Sequence, residues 1–262
     1  MKLNTFTRVA LSAAQAGGEV LRSYFDKNIR VDYKGEINPV TDADRRSQRV
    51  VFDIISGNFP DHSTMGEEGE ESATSRNSEY CWIVDPLDGT VNFIHRIPLF
   101  CVSVALMHRG SIVSGVVHVP LMNETFVAQR GGGAWLNGKR IAVSSADRLV
   151  RALVVMGFPY YVHSRPGRTV KNLVNVLTKV QGVRRLGSAA IDLAYVAMGR
   201  CDAFWEEGLS AWDVAAGSLL VEESGGSVTD YRNGDDFIFG ETLLSSNGVL
   251  HRPLLKLISA NE

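Results

Sequence analysis

The sequence predicts an α+β protein, an antiparallel meander followed by a sheet covered by helices, and three observations predict it. Apolar residues recur at helical spacing near the N-terminus, strands alternate with tight turns from Phe100 to Val143, and strand and helix patterns alternate after residue 151.

Leu3, Phe6, Val9, Ala10, Ala13, Val20, Leu21, Tyr24 and Phe25 make one apolar face, so residues 3–26 form a long amphipathic helix. A short strand is expected around Ile29 to Tyr33. In KGEINPVTDAD, Pro39 keeps the chain extended and Thr41 caps a helix running through Ile55, with Asp44 three residues on as a capping-box acid. Residues 61–71, DHSTMGEEGEE, read as a solvated acidic loop, and residues 76–79 as a polar linker. Trp82, Ile83 and Val84 form a short buried strand.

From Phe100 to Val143, turns at Arg109-Gly110, Pro120 to Asn123, Gly131 to Gly133 and Asn137-Gly138 separate apolar strands into an antiparallel meander. The triple glycine is a bulge or hairpin turn, because no Lys-Ser/Thr follows it as a phosphate loop requires. His108 and His118 have no acidic or histidine partner at ligand spacing and read as structural. A polar break at 144–150 divides the chain into halves, 1–148 and 149–262. The second half runs strand 152–156, loop 157–168, a helix through Val170 to Val180, strand 183–186, helix Ser188 to Met198, strand 203–205, helix 211–223, strand 227–230 and a last helix containing Leu254, Leu257 and Ile258.

Composition narrows the function. Lys plus Arg number 27 against 29 Asp plus Glu in 262 residues, a net charge of −2 that gives no general attraction to nucleic acid or anionic membrane. Basic residues cluster only at Arg45, Arg46, Arg49, Arg184 and Arg185, too sparsely for direct nucleic-acid binding. No apolar run approaches a membrane span and the N-terminus carries no charged-then-apolar leader, so a cytoplasmic protein is expected. Cys81, Cys101 and Cys201 are scattered, as reduced buried cysteines are, and make no zinc or disulfide pattern.

The stretch YCWIVDPLDGTVNF, residues 80–93, is where chemistry concentrates. Asp85 ends the strand, Pro86 biases it to an extended conformation, and Asp88 follows before a Gly89-Thr90 turn that can offer main-chain N–H groups to an anion. Two carboxylates facing one point suit Mg²⁺ or Ca²⁺, with Glu67 beside Gly66 as a further candidate ligand. Turn formation accounts for the same Asp, Gly and Pro residues equally well. Asp213, in Ser210-Ala-Trp-Asp213, likewise has a sufficient structural reason as a helix cap. Of Glu206 and Glu207 at the end of the preceding strand, Glu206 is the candidate to meet a ligand and Glu207 could be solvated.

A glycine-flanked glutamate, WIVDPLDGTVNF, and WDVAAGSLLVEESGG together resemble the inositol monophosphatase family of Mg²⁺-dependent, lithium-sensitive phosphatases. The similarity continues through NPVTDAD, GFP and RRLGSAAIDLAYVAMGRCDAFWE, over nearly the whole chain. The resemblance implies a layered α/β/α/β/α sandwich with largely antiparallel sheets, a homodimer, and two or three Mg²⁺ per site. It implies that Glu67, Asp85 and the carbonyl of Leu87 hold one metal, and that Asp85, Asp88 and Asp213 hold a second. A third would lean on Glu67 through water. Thr90 and Asp44, with Glu67, would orient the attacking water; the N–H groups of Gly89 and Thr90 would receive phosphate. Glu206 and the backbone at Ala189 would grip the alcohol, and Lys34 would sit on a flap. The implied reaction is hydrolysis of a phosphate monoester, inositol 1-phosphate first, by metal-activated water without a phosphoenzyme. The same fold in related enzymes takes fructose bisphosphate, NADP, 3′-phosphoadenosine phosphate or histidinol phosphate, and a regulatory association with the transcription machinery is a rival of another class.

Overall fold

The computed structural model describes residues 1–27, 31–34, 38–69 and 79–259. The expected strand at 29–33 and the linker at 76–79 fall partly outside them, and the side chain of Lys34 lies outside the described side chains.

A seven-stranded sheet is built from β3 (Ser63–Gly66), β4 (Tyr80–Asp88), β5 (Cys101–His108), β6 (Ser111–Val119), β7 (Glu124–Gln129), β8 (Gly133–Leu136) and β9 (Lys139–Arg140), side by side in chain order. All its pairings are antiparallel except β3 with β4. A five-stranded sheet orders β11 (Gly182–Arg184), β10 (Leu153–Met156), β12 (Ala203–Glu207), β14 (Thr242–Ser246) and β13 (Ser227–Thr229), with β10 parallel to both its neighbours. The hairpin of β1 (Val31–Lys34) and β2 (Asn38–Thr41) stands apart.

Period-two alternation assigns the layers. Trp82, Val84, Val102, Val104 and Leu106 pack with α1 (Thr5–Tyr24) and α2 (Asp42–Asn58) on one face of the large sheet. Ile83, Cys101 and Ala105 point the other way, into a core shared with α5 (Ala189–Ala197), α6 (Ala211–Glu223) and Val155, Phe204 and Leu243 of the small sheet. Val154, Trp205 and Leu244, on the far face of the small sheet, pack with α4 (Gly167–Leu177) and α7 (His251–Ser259). The fold is therefore a five-layer α/β/α/β/α sandwich. Burial on both faces explains why β4 reads as an unbroken apolar run.

Several details differ from the sequence reading. The acidic 61–71 segment contains β3, because its STMG residues find parallel partners on β4, at Cys81 to Val84. A short helix, α3 (Thr90–Ile94), follows β4, and β14 had no distinct signal along the chain. His108, read as structural, stacks on the cross-strand Tyr80 ring, and its Nε2 lies 3.7 Å from Glu79, a contact across the sheet that spacing along the chain does not show. The triple glycine, as expected, is a hairpin turn, here from β7 into β8, and the N–H groups of Gly131 and Gly133 donate to Glu223. No helix among the described residues is long and apolar enough to cross a membrane.

Candidate active site

Asp85 and Asp88 are three residues apart, a spacing that in a regular strand would send them to opposite faces. The register resolves this. Asp85 pairs with Ser103 and Asp88 with Cys101, so β4 spends one more residue than β5 between the two pairings. Pro86, which has no N–H for the ladder, sits in this bulge, and Ser47 Oγ of α2 donates to its carbonyl at 2.9 Å. Both carboxylates thus emerge on the face that meets α5 and α6.

Gly89 turns the chain out of β4 at φ 96°, and a Cβ there would come within 2.9 Å of the Leu99 carbonyl, so glycine is required on both counts. Asp88 is gripped by the start of α5: Ser188 Oγ and the N–H of Ala190 both donate to Oδ2 at 2.7 Å. Asp213 approaches from α6, where its Oδ2 takes the N–H of Ser210 at 2.7 Å in a capping box. The helix cap is real, and Asp213 also makes a side-chain hydrogen bond with Asp85, so one residue serves both the cap and the cluster. Asp85, Asp88 and Asp213 each offer an oxygen, all within 4.8 Å of one another. Glu67, whose N–H bonds Val84 beside β4, lines the same cleft but lies outside that tight group.

Behind the cluster, Thr90 Oγ1 lies 3.0 Å from the Leu87 carbonyl and 3.3 Å from Asp44 Oδ1. Asp44 is fully buried and also receives the N–H and hydroxyl of Thr41 at 2.9 and 2.5 Å. Cys101 lies 3.6 Å from Ser188, but burial pushes its thiol up and removes it as a nucleophile.

The cleft holds about 570 Å³. Beyond the acids its walls include Phe158, Tyr160 and His163 from the 157–168 loop, Arg185, Asp192, Trp212 and Glu206. Ser188, Arg185 and Asp192 were missed in the sequence, although Ser188 at the start of a small-residue helix carried a usable capping signal. Ala189 opens α5 at the cleft wall. Glu207, offered as the solvated member of its pair, is instead buried and held by Arg168.

The electrostatics of the cluster suit a cation. Burial, then the charges of Glu67, Asp88 and Asp213, push the Asp85 carboxyl well above the usual carboxylate range. Burial raises Asp88 to about 6 against the bonds from Ser188 and Ala190; burial and the Asp88 charge raise Asp213 to about 8. Asp44 rises to about 6, chiefly by burial. Three crowded all-oxygen donors that disfavour their own charge fit a hard divalent cation.

This has a consequence for metal-free protein. Folded Asp213 keeps its proton up to about pH 8 whereas the unfolded chain releases it near pH 4, so its stabilisation is complete at low pH and is lost as pH rises through 8. Half-buried His62 and buried His118 and His251 are shifted down by burial and act in the opposite sense, but only below their ordinary value near 6.5. Chemical denaturation of chelated protein from pH 6.5 to 9 should show falling stability, and Mg²⁺ should flatten the slope. Rising stability over that range would contradict the buried acid cluster.

The model of the Inositol monophosphatase family matches residues 2–261. The chain belongs to the inositol monophosphatase family. As a member it is a phosphatase. It is 43% identical over 260 residues to an inositol-1-monophosphatase of Mesorhizobium japonicum, covering 98% of this chain and 97% of that protein. It is 40% identical to the Nus factor SuhB of Pseudomonas aeruginosa, over 95% of this chain and 94% of the other. The crystal structure of the extragenic suppressor protein suhB from Bartonella henselae superposes with a TM-score of 0.94 at 39% identity, over 99% of this chain and 100% of that one. The family's α+β layered fold is the one described above.

Proposed function

We propose that this inositol monophosphatase family member hydrolyses inositol 1-phosphate to inositol and phosphate, using Mg²⁺ held by Asp85, Asp88 and Asp213. The observation that carries the reading is the convergence of those three carboxylates within 4.8 Å at one side of a cleft that Glu206 also lines. The names of relatives at 40–43% identity support the substrate class. Glu67 and the Leu87 carbonyl complete the ligand set, giving two or three ions per site. Bound there, the ions neutralise the phosphate dianion and lower the pKa of an attacking water.

The protein's own groups do the positioning. The N–H groups of Gly89 and Thr90 receive phosphate oxygens, Glu206 and the backbone at Ala189 take the hydroxyls of the alcohol, and Lys34 belongs to a flap. Thr90 Oγ has a single proton to donate, to Leu87 or Asp44, which leaves its lone pairs to accept a hydrogen of the attacking water, with Asp44 and Glu67 fixing the network. Thr90→Val keeps the shape and removes the hydroxyl, so activity should fall about 10- to 100-fold, as for other groups that support a metal site. Normal turnover in that variant would exclude the role.

The substrate test is a panel of phosphate monoesters assayed with Mg²⁺, including fructose bisphosphate, NADP, 3′-phosphoadenosine phosphate and histidinol phosphate. Inositol 1-phosphate should give the highest kcat/KM; a clear preference for another ester reassigns the alcohol. A homodimer, lithium inhibition and a cytoplasmic location belong to the same reading. The Nus factor relatives favour one second reading, a role with the transcription machinery, which a pull-down from lysate set against turnover of the purified protein would separate.

A further inference from the structure

Three consecutive residues at the end of β12 meet the 157–168 loop at its start, middle and end. The carboxylate of Glu206 lies against Gly157, where a Cβ would come within 1.9 Å of Oε2. Gly208, at φ 75°, lies against Pro159 and Tyr161, each of which would be 2.9 Å from an added Cβ. Between them Glu207 is 3% exposed and takes a concentrated set of donors. Arg168 Nε and Nη2 both reach its Oε2 at 2.6 Å, the Thr169 hydroxyl donates to Oε1, and Tyr161 Oη stands 3.5 Å away. The Arg168 guanidinium also lies 5.8 Å over the Tyr231 ring.

A carboxylate is buried without large cost only when it is paired and hydrogen-bonded, and here both of its oxygens are used. Its partners, Arg168 and Thr169, stand where the loop ends, in the first turn of α4. The loop they terminate supplies Phe158, Pro159, Tyr160, Val162 and His163 to the cleft, whereas Glu207 itself does not line it. Period-two geometry explains the division: adjacent strand residues face opposite ways, so Glu206 turns to the cleft while Glu207 turns to the loop's base.

We propose that Glu207 is a positioning residue: by clamping Arg168 and Thr169 it holds the 157–168 loop at the cleft, and so sets which alcohols fit beside Glu206. The proposal rests on the reading of the cleft as a phosphate ester site with its alcohol end at Glu206. Selectivity is then governed by a side chain that touches no substrate.

The test uses the full-length protein with Mg²⁺ and two esters, inositol 1-phosphate and p-nitrophenyl phosphate, in Glu207→Leu, Arg168→Met and the double variant. Each single change should lower kcat/KM for inositol 1-phosphate by on the order of tenfold to a hundredfold, mainly through KM, and leave p-nitrophenyl phosphate within about twofold. The double variant should lose no more than the worse single, because both changes break one clamp. Glu207→Gln, which keeps an acceptor for Arg168 and a donor for Thr169, should restore most of the discrimination. Amide hydrogen exchange should rise in residues 160–165 and stay unchanged in β4. Equal losses on both esters, or unchanged exchange in the loop, would overturn the proposal. If the unmodified protein hydrolyses neither ester, the phosphatase reading fails, and the exchange measurement still decides whether Glu207 holds the loop.

Discussion

Asp213→Asn should reduce Mg²⁺-dependent turnover by at least about a hundredfold, the upper end of what is lost when a group merely supports a metal site, while the protein folds as before. The reason lies in the two tasks of one side chain. As the third residue of the capping box opened by Ser210, Asp213 accepts the Ser210 N–H at 2.7 Å, a bond that an asparagine side-chain oxygen can also accept. As a member of the cluster, it brings a charge within 4.8 Å of Asp85 and Asp88, which asparagine cannot replace. Without metal that charge is a burden, as its pKa of about 8 indicates, so the metal-free variant should melt no lower than the unmodified protein. The rise in melting temperature on adding Mg²⁺ should shrink with the activity. A lower melting temperature with the rate per folded molecule preserved would leave Asp213 as a cap alone.

Glu206→Gln should separate substrate choice from chemistry. Glu206 lines the cleft and is outside the tight carboxylate group, and burial followed by the charges of Asp213 and Asp88 pushes its carboxyl well above the usual range. With cations at the carboxylate group offsetting those neighbouring charges, Glu206 would be ionised; hydrogen bonds to a charged group contribute roughly 1.5–3 kcal/mol, and about 1.4 kcal/mol is tenfold, so kcat/KM for inositol 1-phosphate should fall about 10- to 150-fold. Esters without vicinal hydroxyls should lose far less, and Mg²⁺ affinity should hold. Equal losses on both kinds of ester would assign Glu206 to the metal site or to folding; no loss on either would move selectivity to the 157–168 loop.

Much of the fold was legible because its signals are local. The helical spacing from Leu3 to Phe25, the turns between Phe100 and Val143 and the capping pattern Thr41 to Asp44 each depend on neighbours in sequence, and each corresponds to an element found in the structure. The site was legible in its residue types but not in its geometry. Nothing local puts Asp85 and Asp88 on one face; the bulge that does so is defined by the register against Ser103 and Cys101. β3 was hidden because four residues in an acidic run become a strand only beside β4. The fate of Glu207 was hidden for the same reason, since its partner Arg168 lies 39 positions earlier in the chain. Alternation along β12 says that the two glutamates diverge, but not what waits on each side.

The Asp85, Asp88 and Asp213 cluster should act by holding a divalent cation for phosphate ester hydrolysis. The most direct measurement is the rate of inositol 1-phosphate hydrolysis by purified protein after exhaustive chelation, followed by titration with Mg²⁺. Turnover should be absent after chelation and recover saturably as Mg²⁺ is returned. Full activity in the chelated protein, or no recovery in protein that remains folded, would contradict it.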